Sequence, residues 1–198
     1  MSRRLVLASA SPARRRLLVD AGFAPVVMVS GVDEEFDEAG SGRDSVHELA
    51  VRKAEAVSLL AADALVIGCD SLLELDGRCL GKPATPAEAT ARWRDLRGGC
   101  GTLFTGHCVI DTRHGSRATG VGATTVRFGT PTDEEISAYV TTGEPLHVAG
   151  AFTLDGRSAP FIDGIDGDPG TVIGLSLPLL RTLLAELGVA VTDLWVSS

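Results

Sequence analysis

Apolar and polar positions along the chain follow two periods, one of strands and one of helices. Arg4 to Ala8 is an apolar run too short for a helix and reads as a first strand. Ser9-Ala10-Ser11-Pro12 then turns the chain into a helix, with Ser11 as N-cap and Pro12 at the first helical position. On a helical wheel Ala13, Leu17, Leu18 and Ala21 form its apolar face, Arg14 falls in the middle of that face, and Arg15 and Arg16 point the other way. Gly22 ends this helix, and Ala24 to Val29 reads as the next strand. A longer helix is predicted from Asp44 or Ser45 to about Ala61, with Val46, Leu49, Ala50, Ala54, Val57 and Leu60 on its core face. Lys53 sits inside that stripe.

Ala64 to Cys69 is a run of apolar and small residues that reads as a buried strand ending on Asp70. Leu72, Leu73 and Leu75 resume an extended pattern, Asp76-Gly77 is a hairpin turn, and Arg78-Cys79-Leu80 returns. Asp70 and Lys82 thus lie at opposite ends of one hairpin, with Pro83 holding Lys82 extended. Thr85-Pro86-Ala87-Glu88 reads as a capping box opening a helix to Leu96, and Gly98 to Gly101 as a turn. Thr102 to Thr112 and Val121 to Phe128 are β-rich and suited to antiparallel pairing. Thr132-Asp133-Glu134-Glu135 caps a helix running through Thr142, Ile162 to Gly170 reads as a loop of alternating Asp and Gly, and a last helix covers about Ser176 to Glu186. The whole chain, 1–198, is expected to form one domain.

Charge narrows the partners. The net charge of −8, with no basic stripe outside the first helix, argues against nucleic acid or a membrane surface, yet leaves room for a small anion in a locally cationic pocket. Cys69, Cys79, Cys100 and Cys108 form no C-x-x-C pair and have no His at zinc-ligand spacing. Scattered thiols, no apolar run of about 18 residues and no signal-peptide pattern lead to an expected cytoplasmic location.

The candidate chemistry starts from the misplaced charges. A carboxylate at a strand end, as Asp70 is read, sits where open α/β sheets place their ligands, although an ordinary hairpin with a capping Asp and a solvated Lys fits these residues too. Arg14 is on a core-facing stripe and in the first helical turn, where the helix dipole favours anions. An anion bound at this helix start would resolve both problems, as would a buried carboxylate partner. Lys53 repeats the pattern, and two such cations make a shared anionic ligand the economical reading. Both are expected to serve function at a cost in stability. The acidic loop Val32-Asp33-Glu34-Glu35-Phe36-Asp37-Glu38 is either solvated or supplies one or two hard ligands to magnesium or manganese. His47, His107, His114 and His147 show no metal or triad spacing.

With these residues in view, the chain resembles the Maf family of nucleoside triphosphate pyrophosphatases, also called septum-formation-inhibitor-like proteins. The likeness rests on L-V-L-A-S-A-S-P-A-R-R-R-L-L at 5–18, V-D-E at 32–34, A-V-R-K-A at 50–54, I-G-C-D-S at 67–71, L-D-G-R-C-L-G-K-P at 75–83, E-P-L at 144–146 and A-G-A-F at 149–152. I-D-G-D and I-G-L near 165–175 extend it. The resemblance implies an α/β fold with an elongated mixed sheet flanked by helices, and two lobes around a central cleft, as in inosine-triphosphate pyrophosphatases. It also implies a divalent-metal-dependent enzyme, using magnesium or manganese, that cleaves a nucleoside triphosphate to the monophosphate and pyrophosphate. Asp70 would then be the proton acceptor and, with Glu34, a metal ligand, while Ser9, Ser11, Arg14, Lys53 and Lys82 would bind phosphate. A homodimer is the protein partnership this reading admits.

Departures from the family pattern fall at Ala13, at His147 and Val148, at Asp155, and at Ser71 after Asp70, so the groups facing the base are expected to differ. Two other readings remain open at this point: a purine-selective house-cleaning pyrophosphatase of the inosine-triphosphate type, and a nucleotide-binding regulator of cell division without turnover. Retention of both Asp70 and Lys82 favours catalysis.

Overall fold

The computed structural model describes residues 3–196. Its elements in chain order are β1 (Arg4–Leu7), α1 (Pro12–Asp20), β2 (Val26–Val27), α2 (Gly42–Ser58), β3 (Ala64–Leu75), β4 (Arg78–Leu80) and α3 (Pro86–Leu96). These are followed by β5 (Cys100–Asp111), β6 (Ser116–Phe128), α4 (Asp133–Thr141), β7 (Ile162–Asp166), α5 (Pro169–Ile173) and α6 (Leu177–Glu186). The strands form one seven-stranded sheet in the order β2-β1-β3-β5-β6-β7, with β4 also paired to β3. β2, β1 and the first third of β3 are parallel, and every other pairing is antiparallel, so the sheet is mixed as expected.

Helix starts follow their local signals. Ser11, Ser41, Thr85, Thr132 and Ser176 each accept a hydrogen bond from an amide in the first turn, satisfying a donor the helix cannot. Thr132 and Glu135 form the full reciprocal capping box. Glu88 instead reaches past its N-cap to the amide of Ala84, so the second half of the box read at Thr85 is displaced by one residue.

Four readings are corrected. The helix read from Asp44 or Ser45 to about Ala61 runs instead from Gly42, capped by Ser41, to Ser58, and Leu60, read on its core face, is exposed beyond its end. The strand read as ending on Asp70 runs unbroken to Leu75, because its second half is held by β4 and β5. The predicted strand from Ala24 to Val29 shrinks to two half-exposed valines at the sheet edge. The Asp-Gly loop from Ile162 contains β7, which pairs with β6 through its backbone and packs Ile162 and Ile165 against the core, and α5, capped by Asp168.

The apolar core is divided along the sheet. Near β1 and the start of β3, α1 and α6 cover one face around Leu18, Leu65, Ile67 and Leu183, while α2 covers the other around Val6, Ala54 and Val66. At the far end Trp93 of α3 packs edge-on against Phe128, Tyr139 and Phe161. Between the two ends α2 lies directly on the sheet backbone. A Cβ on Gly68 would stand 2.2 Å from the Ala50 carbonyl oxygen, and one on Gly106 would stand 2.0 Å from that of Val46. Gly106 is the cross-strand partner of Asp70. Bare backbone at these two positions is therefore what lets Lys53, one turn after Ala50, come down onto Asp70.

His107, fully buried on β5, ties the sheet to the start of α6. Its Nδ1 faces the Thr105 carbonyl at 3.0 Å and its Nε2 faces the Ser176 amide at 2.9 Å. Only a neutral ring with the proton on Nδ1 satisfies both contacts. Burial pushes its pKa from 6.5 down to about 4, with the Arg14 charge adding to the effect and the Thr105 carbonyl opposing it. Between those two values the unfolded chain binds a proton that the folded chain refuses, so stability is expected to fall as pH drops from about 6.5 to about 4. The full loss from this one group is about 3 kcal/mol. Urea unfolding at pH 7 and pH 4.5 checks this, and His107→Gln, which cannot titrate, should lose less between the two pH values than the parent.

Candidate active site

β1 and β4 pair with the same edge of β3 but do not meet. The last bond from the β1 side is the Ala8 amide to the Ile67 carbonyl, at 2.8 Å, and pairing with β4 begins only at Leu73, opposite Leu80. From Gly68 to Leu72 that edge of β3 pairs with no strand among the described residues. The crevice expected at a strand end is here a gap in the middle of a strand's edge, where a neighbour stops rather than the strand itself. Functional side chains reach it from both faces of the sheet.

On one face stands Arg14, buried as the wheel predicts. Its Nε donates to the Gly174 carbonyl at 2.7 Å, its Nη1 to the Cys69 carbonyl at 2.9 Å and to Ser9 Oγ at 3.1 Å, and its Nη2 to Ser71 Oγ at 3.0 Å. Every one of these partners is neutral. Among the described residues no carboxylate pairs with Arg14, so the alternative of a buried carboxylate partner is not what the structure contains. Ser11 is occupied as the helix cap, its Oγ accepting from the Arg14 amide, while Ser9 Oγ also accepts from the Ser11 amide.

On the other face the buried Lys53 ammonium lies between two carboxylates. It donates to Asp70 Oδ1 and, at 2.6 Å, to Glu34 Oε1. Lys82, half-exposed, comes within 3.4 Å of Glu34 Oε2. Charges thus alternate through Asp70, Lys53, Glu34 and Lys82. Burial of Glu34 works to raise its pKa, but the hydrogen bond and charge of Lys53, assisted by Lys82, outweigh this and hold it below the usual carboxylate range. Counting Arg14, three cations face two carboxylates and leave one positive charge in excess. A site with that balance, opened by a missing strand, is complementary to a polyanion.

Asp70 and Glu34 fit a divalent cation on one observation: their oxygens already share a single positive group. Among the described residues no three His, Cys, Asp or Glu side chains converge, so the chain offers no complete cage. One or two carboxylates completed by substrate phosphates is the arrangement magnesium ordinarily takes.

The structure therefore brings Ser9, Ser11, Arg14, Glu34, Lys53, Asp70 and Lys82 to one gap. Ser71, noted in the sequence only as a departure from the family pattern, meets Arg14 through its Oγ and lies 2.9 Å from the Oγ1 of Thr105, which sequence reasoning passes over. Neither carries a signal in isolation, since small hydroxyl residues are common in strands. Cys69 lies at the gap but burial pushes its thiol up to about 11, which keeps it protonated and chemically quiet. Among the departures, Asp155 is paired with Arg16 of α1 and accepts from Thr153 Oγ1, while His147 is exposed.

Comparison with known proteins gives the chain's relatives. The family model described as "Maf-like protein" matches residues 4–187. A protein of Streptomyces coelicolor named "Nucleoside triphosphate pyrophosphatase" is 64% identical over 195 residues, covering 98% of this chain and 95% of its own. Equally named proteins of Streptomyces avermitilis and Salinispora tropica are 61% and 55% identical, covering 98% and 97% of this chain and 95% and 87% of their own. Of solved structures, the Staphylococcus aureus Ham1 protein aligns with a TM-score of 0.39 at 19% identity, over 64% of this chain and 72% of that one, too weak a likeness to argue from.

Proposed function

The chain belongs to the Maf family, and we propose that the open edge of β3 is the catalytic centre of a nucleoside triphosphate pyrophosphatase, which hydrolyses its substrate to the monophosphate and pyrophosphate. The observation that supports the centre most is Arg14, a buried guanidinium with only neutral partners, opposite a carboxylate on the same strand segment. A fixed cation of this kind costs stability unless an anion is to bind there.

In this reading the triphosphate lies along the gap. Arg14, fixed by its neutral partners, meets phosphate oxygens without reorganising, which is what makes a pre-set charge effective in the transition state. Lys82, on the exposed rim, follows the charge that develops on departing pyrophosphate. Asp70, buried beneath α2 and held by Lys53, takes the proton of the attacking water. Glu34 and Asp70 would hold magnesium or manganese, which when bound neutralises phosphate oxygens and acidifies water. We place the protein in the cytoplasm, since all four cysteines are free and no helix among the described residues is long and apolar enough to cross a membrane.

A panel of standard and modified nucleoside triphosphates, assayed with magnesium and with manganese, tests this. Pyrophosphate release from at least one of them is expected, and its loss in excess chelator. Release of orthophosphate alone would sink the assignment of the bond cleaved, and full activity in chelator would sink the metal role of Glu34 and Asp70.

A further inference from the structure

We infer that Arg92 is a positioning residue for Lys82, acting through the carbonyl of Gly81. The inference rests on the reading of Lys82 as a phosphate-binding group. Lys82 is half-exposed, and its one side-chain partner, Glu34, lies 3.4 Å away, so its own contacts do not fix where the ammonium points. What is fixed is the backbone that launches it. The Gly81 carbonyl accepts Arg92 Nη1 at 2.5 Å and the Gly150 amide at 3.0 Å. A Cβ on Gly81 would stand 3.0 Å from the Phe36 ring, so the loop that carries Glu34 packs against the same residue. Pro83 restrains the other side of Lys82.

Arg92 is misplaced for stability alone. It lies on the core-facing stripe of α3 with Ala89, Trp93 and Leu96, and its side chain is 9% exposed. Its other contact is Glu88 Oε1, at 2.6 Å and itself much more exposed. An apolar side chain would fill such a position at least as well, since a buried guanidinium must recover its desolvation from partners. The neighbouring residue closes a ring around the same point. Trp93 Nε1 donates to the Ala151 carbonyl at 2.9 Å. Gly150 and Ala151 both adopt φ of 68°, a conformation that alanine rarely accepts. That turn is what aims the Gly150 amide at Gly81. Two consecutive residues of α3 thus grip both sides of the backbone bond that sets Lys82.

The test is a double-mutant cycle read by calorimetric titration with inorganic tripolyphosphate and magnesium, a probe that has no base. Arg92→Met and Lys82→Met are each expected to weaken binding on the order of tenfold, and the double variant to bind no more weakly than Lys82→Met alone. Arg92→Lys, which keeps a charged donor for Gly81, should recover part of the loss. If Arg92→Met does not fold, Arg92→Gln takes its place in the cycle. Additive losses, or parental affinity in the Arg92 variant, overturn the positioning role while leaving Lys82 as a phosphate ligand. Parental affinity in Lys82→Met overturns the underlying reading of Lys82, and the inference with it.

Discussion

Asp70→Asn is expected to lower turnover by at least ~10²-fold, the usual contribution of a positioned acid or base, in a protein that remains folded. Asparagine keeps the shape of the side chain on a strand bonded along both halves, and Lys53 retains Glu34 as a partner. What is lost, on the proposed reading, is a proton acceptor and an anionic ligand at the centre of the gap. Steady-state pyrophosphate release by the purified variant, beside its melting curve, checks both parts. Near-parental turnover would move the chemistry away from Asp70 and leave the gap as a binding site only.

Removing Lys53 should act on stability first. In Lys53→Met the buried Asp70 carboxylate loses the ammonium that neutralises it, and breaking a buried pair from one side costs about 3–5 kcal/mol. Denaturant unfolding without metal or nucleotide measures this. The double variant Lys53→Met/Asp70→Asn should regain much of the stability, because both charges are gone, while remaining inactive. Sequence alone suggests the opposite sign for Lys53→Met, since a cation on an apolar stripe reads as a cost. The two carboxylates beneath it reverse that expectation in the protein without ligand. Parental stability in Lys53→Met would mean that the ammonium and Asp70 are not coupled in solution.

Those two residues also mark how far the chain could be read directly. Helical periodicity placed Lys53 and Arg14 on buried stripes, and both are buried. The same wheel applied to the helix from Pro86 to Leu96 would have found Arg92 between Ala89 and Trp93. Periodicity reports which face of an element is covered, and it does so for charged residues as well as apolar ones. It says nothing about what covers them. Arg14 turned out to have only neutral partners and Lys53 two carboxylates, a difference that decides which cation is left to bind an anion.

The sequence by itself determined most of the helices, the caps at Ser11, Thr85 and Thr132, the apolar start of β3, the Asp76-Gly77 hairpin and the stripes on which the charged residues stand, because each depends on residues within a turn or two of one another. Only the tertiary structure decided where β1 stops beside β3, which edge of β3 is left open, and that an Asp-Gly segment serves as an edge strand. Those outcomes depend on backbone pairing between residues far apart in the chain, and a backbone hydrogen bond leaves no mark on the side chains of the strand that makes it. The gap at Asp70 is such an outcome: its residues come from five separate stretches of chain, and nothing local to any of them says that the edge between Gly68 and Leu72 has no partner strand.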